Sequence, residues 1–233
     1  MRGMRKLYRR LLSSLRVAIG DVTFGMEDGA VSVSGLVFGV AASTKDSKIV
    51  VLAGATGAVA GAVSMMAGRY LDVQSVVHRA DSELAAARAR IERDPGAHLA
   101  RVSARLLGSG FTAEEAAVVV GALRRNPDAL VDHVAAYELG VALPAQASPW
   151  AHAWWMFVAD LLAASIPVLP FVFLPIKAAV IVSLIVTGTL MAILGIVRGR
   201  IGGVTIWRTA VQTMAIAGAA ALAGVLIGQL VTR

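Results

Sequence analysis

Cysteine is absent from the chain, which excludes disulfides, thiolate metal sites and cysteine nucleophiles and leaves the redox compartment unread. Charged residues make up only 16%, well below the roughly 25% of ordinary soluble domains. The four histidines, His78, His98, His133 and His152, are too scattered to give metal-ligand spacing on one helix. Although the net charge is +7, no aromatic-basic interleaving or recognition motif accompanies it, so nucleic acid is not an expected partner. No nucleophile and base fall at matching depths, so an enzyme is not expected. Nor does any motif call for a cofactor.

Apolar residues, in contrast, reach 57%, with a mean hydropathy of +0.72, against roughly 45 to 50% apolar in soluble domains. The excess falls in runs of spanning length, since a bilayer core of about 30 Å takes roughly 20 helical residues. The expected fold is therefore all-α: a polytopic membrane protein with five transmembrane helices. A cytosolic insert of three to four helices separates the second helix from the third.

Residues 1–19 form a basic, partly amphipathic lead-in, in which Leu7, Leu11, Leu12 and Leu15 recur between arginines. Arg2, Arg5, Lys6, Arg9, Arg10 and Arg16 put this end in the cytosol by the positive-inside rule. It lacks the apolar core and small-residue cleavage site of a secretory signal and reads as mature sequence. Residues 20–71 form a hairpin, with spans expected over 24–43 and 49–71 around the polar turn TKDSK. Gly35/Gly39 and Gly57/Gly61 are GxxxG pairs that would let its two legs approach closely.

Residues 72–148 are the insert, where all charge types appear. Helices are expected over about 73–93, 97–107, 112–125 and 127–139. They are punctuated by Asp94-Pro95-Gly96, Gly108-Ser109-Gly110 and Asn126-Pro127. Thr112 and Glu115 have capping-box spacing. Residues 149–233 carry the last three spans. Trp150, Trp154 and Trp155 lie at the interface, and Pro167 and Pro170 bend or break the third span. Arg198 and Arg200 lie on the inner side, and Gly224/Gly228 form a further GxxxG pair in the fifth span. The carboxyl terminus is then outside, in what the composition suggests is a prokaryotic cytoplasmic membrane.

Counting outward from Asp46, Asp28 lies eighteen residues back and Met65 nineteen forward, so a carboxylate and a thioether are expected at one depth. Glu27 and Asp28 would be costly in lipid, yet they would also suit the positive end of a helix dipole. Asp160, near the middle of the third span, is expected to avoid lipid and to relay protons or pair with a base. Arg69 follows Met65 by one turn. It either reaches to the headgroups or pairs with Asp28 or Glu27 in the cation's place.

Three segments together carry a resemblance: EDGAVSVSGLVFGVAAS at 27–43, AGAVSMMAGRYLDVQS at 60–75 and SIPVLPF at 165–171. With ELG at 138–140, they resemble the vacuolar iron transporter family, which includes yeast-type iron and manganese carriers and nodulin-like relatives. The resemblance implies a homodimer of five-span protomers in the lipid bilayer, moving Fe²⁺ or Mn²⁺ out of the cytosol in exchange for protons. It puts the pore carboxylate on Asp28 and the pore methionine on Met65; beside them, Glu27 and Asp160 are expected from their positions to handle charge or protons. Members with a cytosolic metal-collecting site carry acids and methionines where this chain has Ala87, Arg90, His98, Arg101, Val134 and Ala135. Of that set Glu138 remains. This loss motivates the alternative, a membrane interaction or regulatory protein that kept the fold without transport.

Overall fold

The computed structural model describes residues 14–15, 18–138 and 148–232, the side chains of 135–138 excepted. The basic lead-in therefore lies largely outside the described residues, as do Leu139 and Gly140 of the ELG segment and the side chain of Glu138. All regular structure among the described residues is helical. The helices are α1 (Ile19–Ser43), α2 (Ser47–Arg93), α3 (Pro95–Gly108), α4 (Ala113–Arg125), α5 (Pro127–Glu138), α6 (Pro149–Phe173), α7 (Ile176–Ile201) and α8 (Ile206–Val231).

Four of these, α2, α6, α7 and α8, are long and apolar enough to cross a membrane. At 25 residues α1 has the length, but Asp21, Glu27 and Asp28 interrupt its apolar run. It begins at Ile19, five residues before the expected start. The second leg does not stop at Leu71. With neither proline nor glycine between Gly68 and Pro95, nothing halts the backbone, and α2 continues to Arg93 as one helix. The third span is likewise unbroken: α6 runs through Pro167 and Pro170 to Phe173. The neighbouring helix adds a contact there, as the Ser183 hydroxyl of α7 donates to the Pro167 carbonyl at 2.8 Å.

The chain divides into two compact units, Met1–Leu71 with Ser148–Arg233, and Asp72–Ala147. In the first, α1 is the central element and packs along α6 and α8. Its glycines make this approach possible. A β-carbon on Gly25 would lie 3.0 Å from the Met156 sulfur, and one on Gly29 would overlap the backbone carbonyl of Asp160. On α8, a β-carbon on Gly224 or Gly228 would overlap the carbonyl of Gly35 or Gly39 respectively. Gly35 and Gly39 thus meet the fifth span, not the second leg of the hairpin as expected. Of the α2 pair, Gly57 faces the Leu36 side chain and Gly61 faces the Asp160 carboxylate. The glycine faces are used inside one protomer, so they give no support to a dimer.

The second unit is built around larger side chains: Ile91, Leu99, Val102, Leu130, Val131 and Val134 form its buried cluster. Its helix starts follow the sequence closely. Asp94 caps α3 by accepting from the Ala97 N–H at 2.9 Å, with Pro95 in the first turn. Both arms of the capping box before α4 form, Thr112 N–H donating to Glu115 at 2.8 Å and Glu115 N–H to the Thr112 hydroxyl at 3.3 Å. The positions expected to have lost metal ligands are apolar or basic here. Ala87 and Val134 are buried, and His98 is buried with the Arg101 guanidinium 2.7 Å from its Nδ1.

Candidate functional site

The polar chemistry of the membrane unit gathers on α1, where 3.6 residues per turn send Asp21, Glu27 and Asp28 to different neighbours. Glu27 and Asp28 line a cavity of 440 Å³ together with Gly20, Thr23, Arg198 and Ile216. Within it the two acids differ. Glu27 lies 3.3 Å from the Arg198 guanidinium and accepts from the Thr213 hydroxyl at 3.5 Å. Asp28 is half-buried and makes no hydrogen bond or ion pair among the described residues. The cavity therefore holds one neutralised carboxylate and one that still faces open space. Arg198, expected only as an inner-side charge, is Glu27's partner.

Asp160 is 1% exposed, and its Oδ1 is buried without a hydrogen-bond partner among the described residues. Two glycines wall it in. Oδ1 would lie 3.0 Å from a β-carbon on Gly29, and Oδ2 3.9 Å from one on Gly61. Neither Asp160 nor Met65, which is half-buried on α2, is among the described residues that line the cavity. The structure thus brings Glu27 and Asp28 together but records no contact between Asp28 and Met65. Glu138 closes α5, with its side chain outside the described residues. Among the described residues no group of three or more His, Cys, Asp or Glu could hold a metal ion.

Sequence reasoning missed a third polar cluster. Asp21 is buried on α1; its Oδ1 lies 2.7 Å from Arg69 Nε of α2, and its Oδ2 pairs with His152 Nδ1 of α6. Arg69 therefore pairs with Asp21 and not with Asp28 or Glu27. Both oxygens of one carboxylate are held by different helices, so removing a partner would leave a charge uncompensated, a loss of about 3 to 5 kcal/mol at fully buried sites. Aromatic residues lie near in sequence: the Tyr70 and Trp150 rings are 4.7 Å apart. Trp155 donates its indole N–H to the Ser14 hydroxyl at 3.0 Å. A signal for the cluster was present as matched four-residue spacing. Asp21, Gly25 and Gly29 on α1 face His152, Met156 and Asp160 on α6.

With this geometry established, comparison with known proteins is informative. The profile of the VIT family matches residues 19–229. Vacuolar iron transporter 1 of Eucalyptus grandis is 32% identical over 87% of this chain and 83% of its own length. The vacuolar iron transporter of Centaurea cyanus is 33% identical over 87% and 84%. Vacuolar iron transporter 1 of Arabidopsis thaliana is 30% identical over 91% and 86%. Matched over nearly all of its length by the family profile and by relatives sharing about a third of its residues, the chain belongs to the VIT family.

Proposed function

We propose that this protein is a carrier that moves Fe²⁺ or Mn²⁺ out of the cytosol in exchange for protons. Relatives named iron transporters, matched along most of their length, support the substrate class. One observation carries the reading further: in the α1 cavity Glu27 is matched by Arg198, while Asp28 on the same wall keeps an unpaired carboxylate. At about 30 Å³ per water, 440 Å³ has room for roughly fifteen waters, enough for a partly hydrated ion.

In this reading Asp28 supplies the hard oxygen and Met65 a thioether that favours Fe²⁺ or Mn²⁺ over Mg²⁺ or Ca²⁺. Glu27 and Asp160 handle charge or protons as the ion passes, and Glu138 is the remaining acid of a cytosolic approach. Asp28 and Met65 need not touch for this, since a moving ion can exchange one ligand for water before meeting the next. We take α1 as a fifth crossing, shielded from lipid at its acids by α6, α7 and α8. The amino terminus is then cytosolic, the carboxyl terminus outside, and the working unit in the bilayer a homodimer.

The rival reading, a fold retained without transport, rests on the emptied cytosolic site and would have been favoured by Arg69 bonded to Asp28. Arg69 lies on Asp21 instead, which leaves the cavity acid available and favours the carrier. Metal uptake into vesicles under a pH gradient tests the reading. Asp28→Ala should reduce Fe²⁺ and Mn²⁺ flux to background, and undiminished flux in that variant would overturn the assignment.

A further inference from the structure

The Asp21 cluster is asymmetric in a way that points to exchange. The side chains of Asp21 and His152 are each only 11% exposed, whereas that of Arg69 is 28% exposed. The two buried members are carried on α1 and α6, which the contacts of Gly25 and Gly29 hold together. Arg69 sits at the end of a long, flexible stem on a third helix, α2, and such a stem can carry its charge out to the headgroup layer. Asp21 is thus the more enclosed partner, and Arg69, although its Nε is buried, is the one whose stem is long enough to move its charge.

His152 holds Oδ2 of Asp21, and Arg69 faces Oδ1. If the guanidinium withdrew, one aimed carboxylate oxygen would remain, oriented by the imidazole and in need of a positive charge. Asp21 precedes Asp28 by seven residues, about 10 Å along the helix at about 1.5 Å per residue. The cavity that Asp28 lines also reaches Gly20 and Thr23, which flank Asp21 in sequence.

We propose that Asp21 is a second cation station, that Arg69 is its tethered occupant, and that a hydrated divalent transition-metal ion takes the guanidinium's place on Oδ1. The proposal rests on the carrier reading for the identity of the ion. A fixed internal competitor suits such a station, because an ion in transit must be held firmly enough to enter and loosely enough to leave. Arg69 keeps the buried carboxylate neutralised between ions and keeps net affinity low. His152 is a positioning residue, holding the carboxylate by its other oxygen.

The test is Mn²⁺ binding to the full-length purified chain, read as the Mn²⁺ concentration at half-maximal stabilisation against heat. If Arg69 fills the station nine-tenths of the time, Arg69→Gln should lower that midpoint roughly tenfold. Adding Asp21→Asn to Arg69→Gln should abolish the gain. An unchanged midpoint in Arg69→Gln, or a gain that survives Asp21→Asn, would overturn the proposal. Should Arg69→Gln not fold, Arg69→Lys keeps a charge in place with a weaker hold. A shift of about threefold is then expected, and no shift overturns it. Because the readout is binding, a failure of wild-type metal flux would sink the carrier reading without deciding this one.

Discussion

The two units of this chain differ in what lets their helices meet. In the insert, Ile91, Leu99, Val102, Leu130 and Val131 fill the interior. The membrane unit also buries large side chains, Val37, Phe171 and Met191 among them, but its closest helix approaches depend on side chains that are missing, at Gly25, Gly29, Gly35, Gly39, Gly224 and Gly228. The solvent accounts for the difference. In water, burying a large aliphatic side chain removes it from a medium that excludes it. In lipid it exchanges one hydrocarbon neighbour for another, so helices gain by coming close and by satisfying polar groups across the contact. The buried Asp21–Arg69–His152 cluster belongs to the second regime.

The comparison can be broken by making each unit suffer the other's mutation. The largest effect is expected from truncation in the insert: Leu130, 2% exposed, changed to alanine should cost about 3 kcal/mol, read as lost hydrogen-exchange protection in α3 to α5. The same truncation at Leu162, which is 63% exposed on α6, should change little. In the membrane unit the damaging direction is enlargement. Gly224→Ala would press its new methyl group into the Gly35 carbonyl and should cost about 2 kcal/mol, the middle of the range for overpacking. Gly188, which has nothing within 4 Å, should accept alanine without loss. Denaturation in detergent micelles measures both. Equal losses at positions 188 and 224 would remove close approach as the explanation.

The same contrast explains what was legible beforehand. In the insert, helix ends are written in single residues: the break at Asp94-Pro95 and the Thr112–Glu115 pair lie where expected, although α3 starts at Pro95, two residues before the expected Ala97. In the membrane unit the GxxxG pairs were visible, but a glycine does not name its partner. Gly35 and Gly39 were assigned to the hairpin and meet α8 instead. Proline was over-read: Pro167 and Pro170 each remove a donor, yet the helix continues through both to Phe173. Glu27 and Asp28 stood out because acids are rare in apolar runs, and they share one cavity. Asp21 did not stand out, because it lay before the expected start of its helix and its partners are 48 and 131 residues away.

The smallest effect separates the units by acid. Glu115 accepts hydrogen bonds from the Thr112 backbone and side chain, and these hold its carboxyl below the ordinary value of 4.5. A carboxylate whose folded pKa is depressed contributes stability that is present above the unfolded value and lost as pH falls through the folded one. Acidifying below about 4.5 should therefore loosen the first turn of α4, seen as faster amide exchange at Glu115 and Ala116. Thr112→Ala should weaken that pH dependence by removing the hydroxyl half of the box, while the larger contribution of the Thr112 backbone N–H remains. Gly224 and Gly35 meet through backbone and methylene hydrogens with nothing to titrate, so this part of the α1–α8 contact, unlike the Glu27–Thr213 bond, should ignore the same acidification. If the amides around Gly224 and those of α4 loosened together, assigning each unit its own packing logic would be wrong.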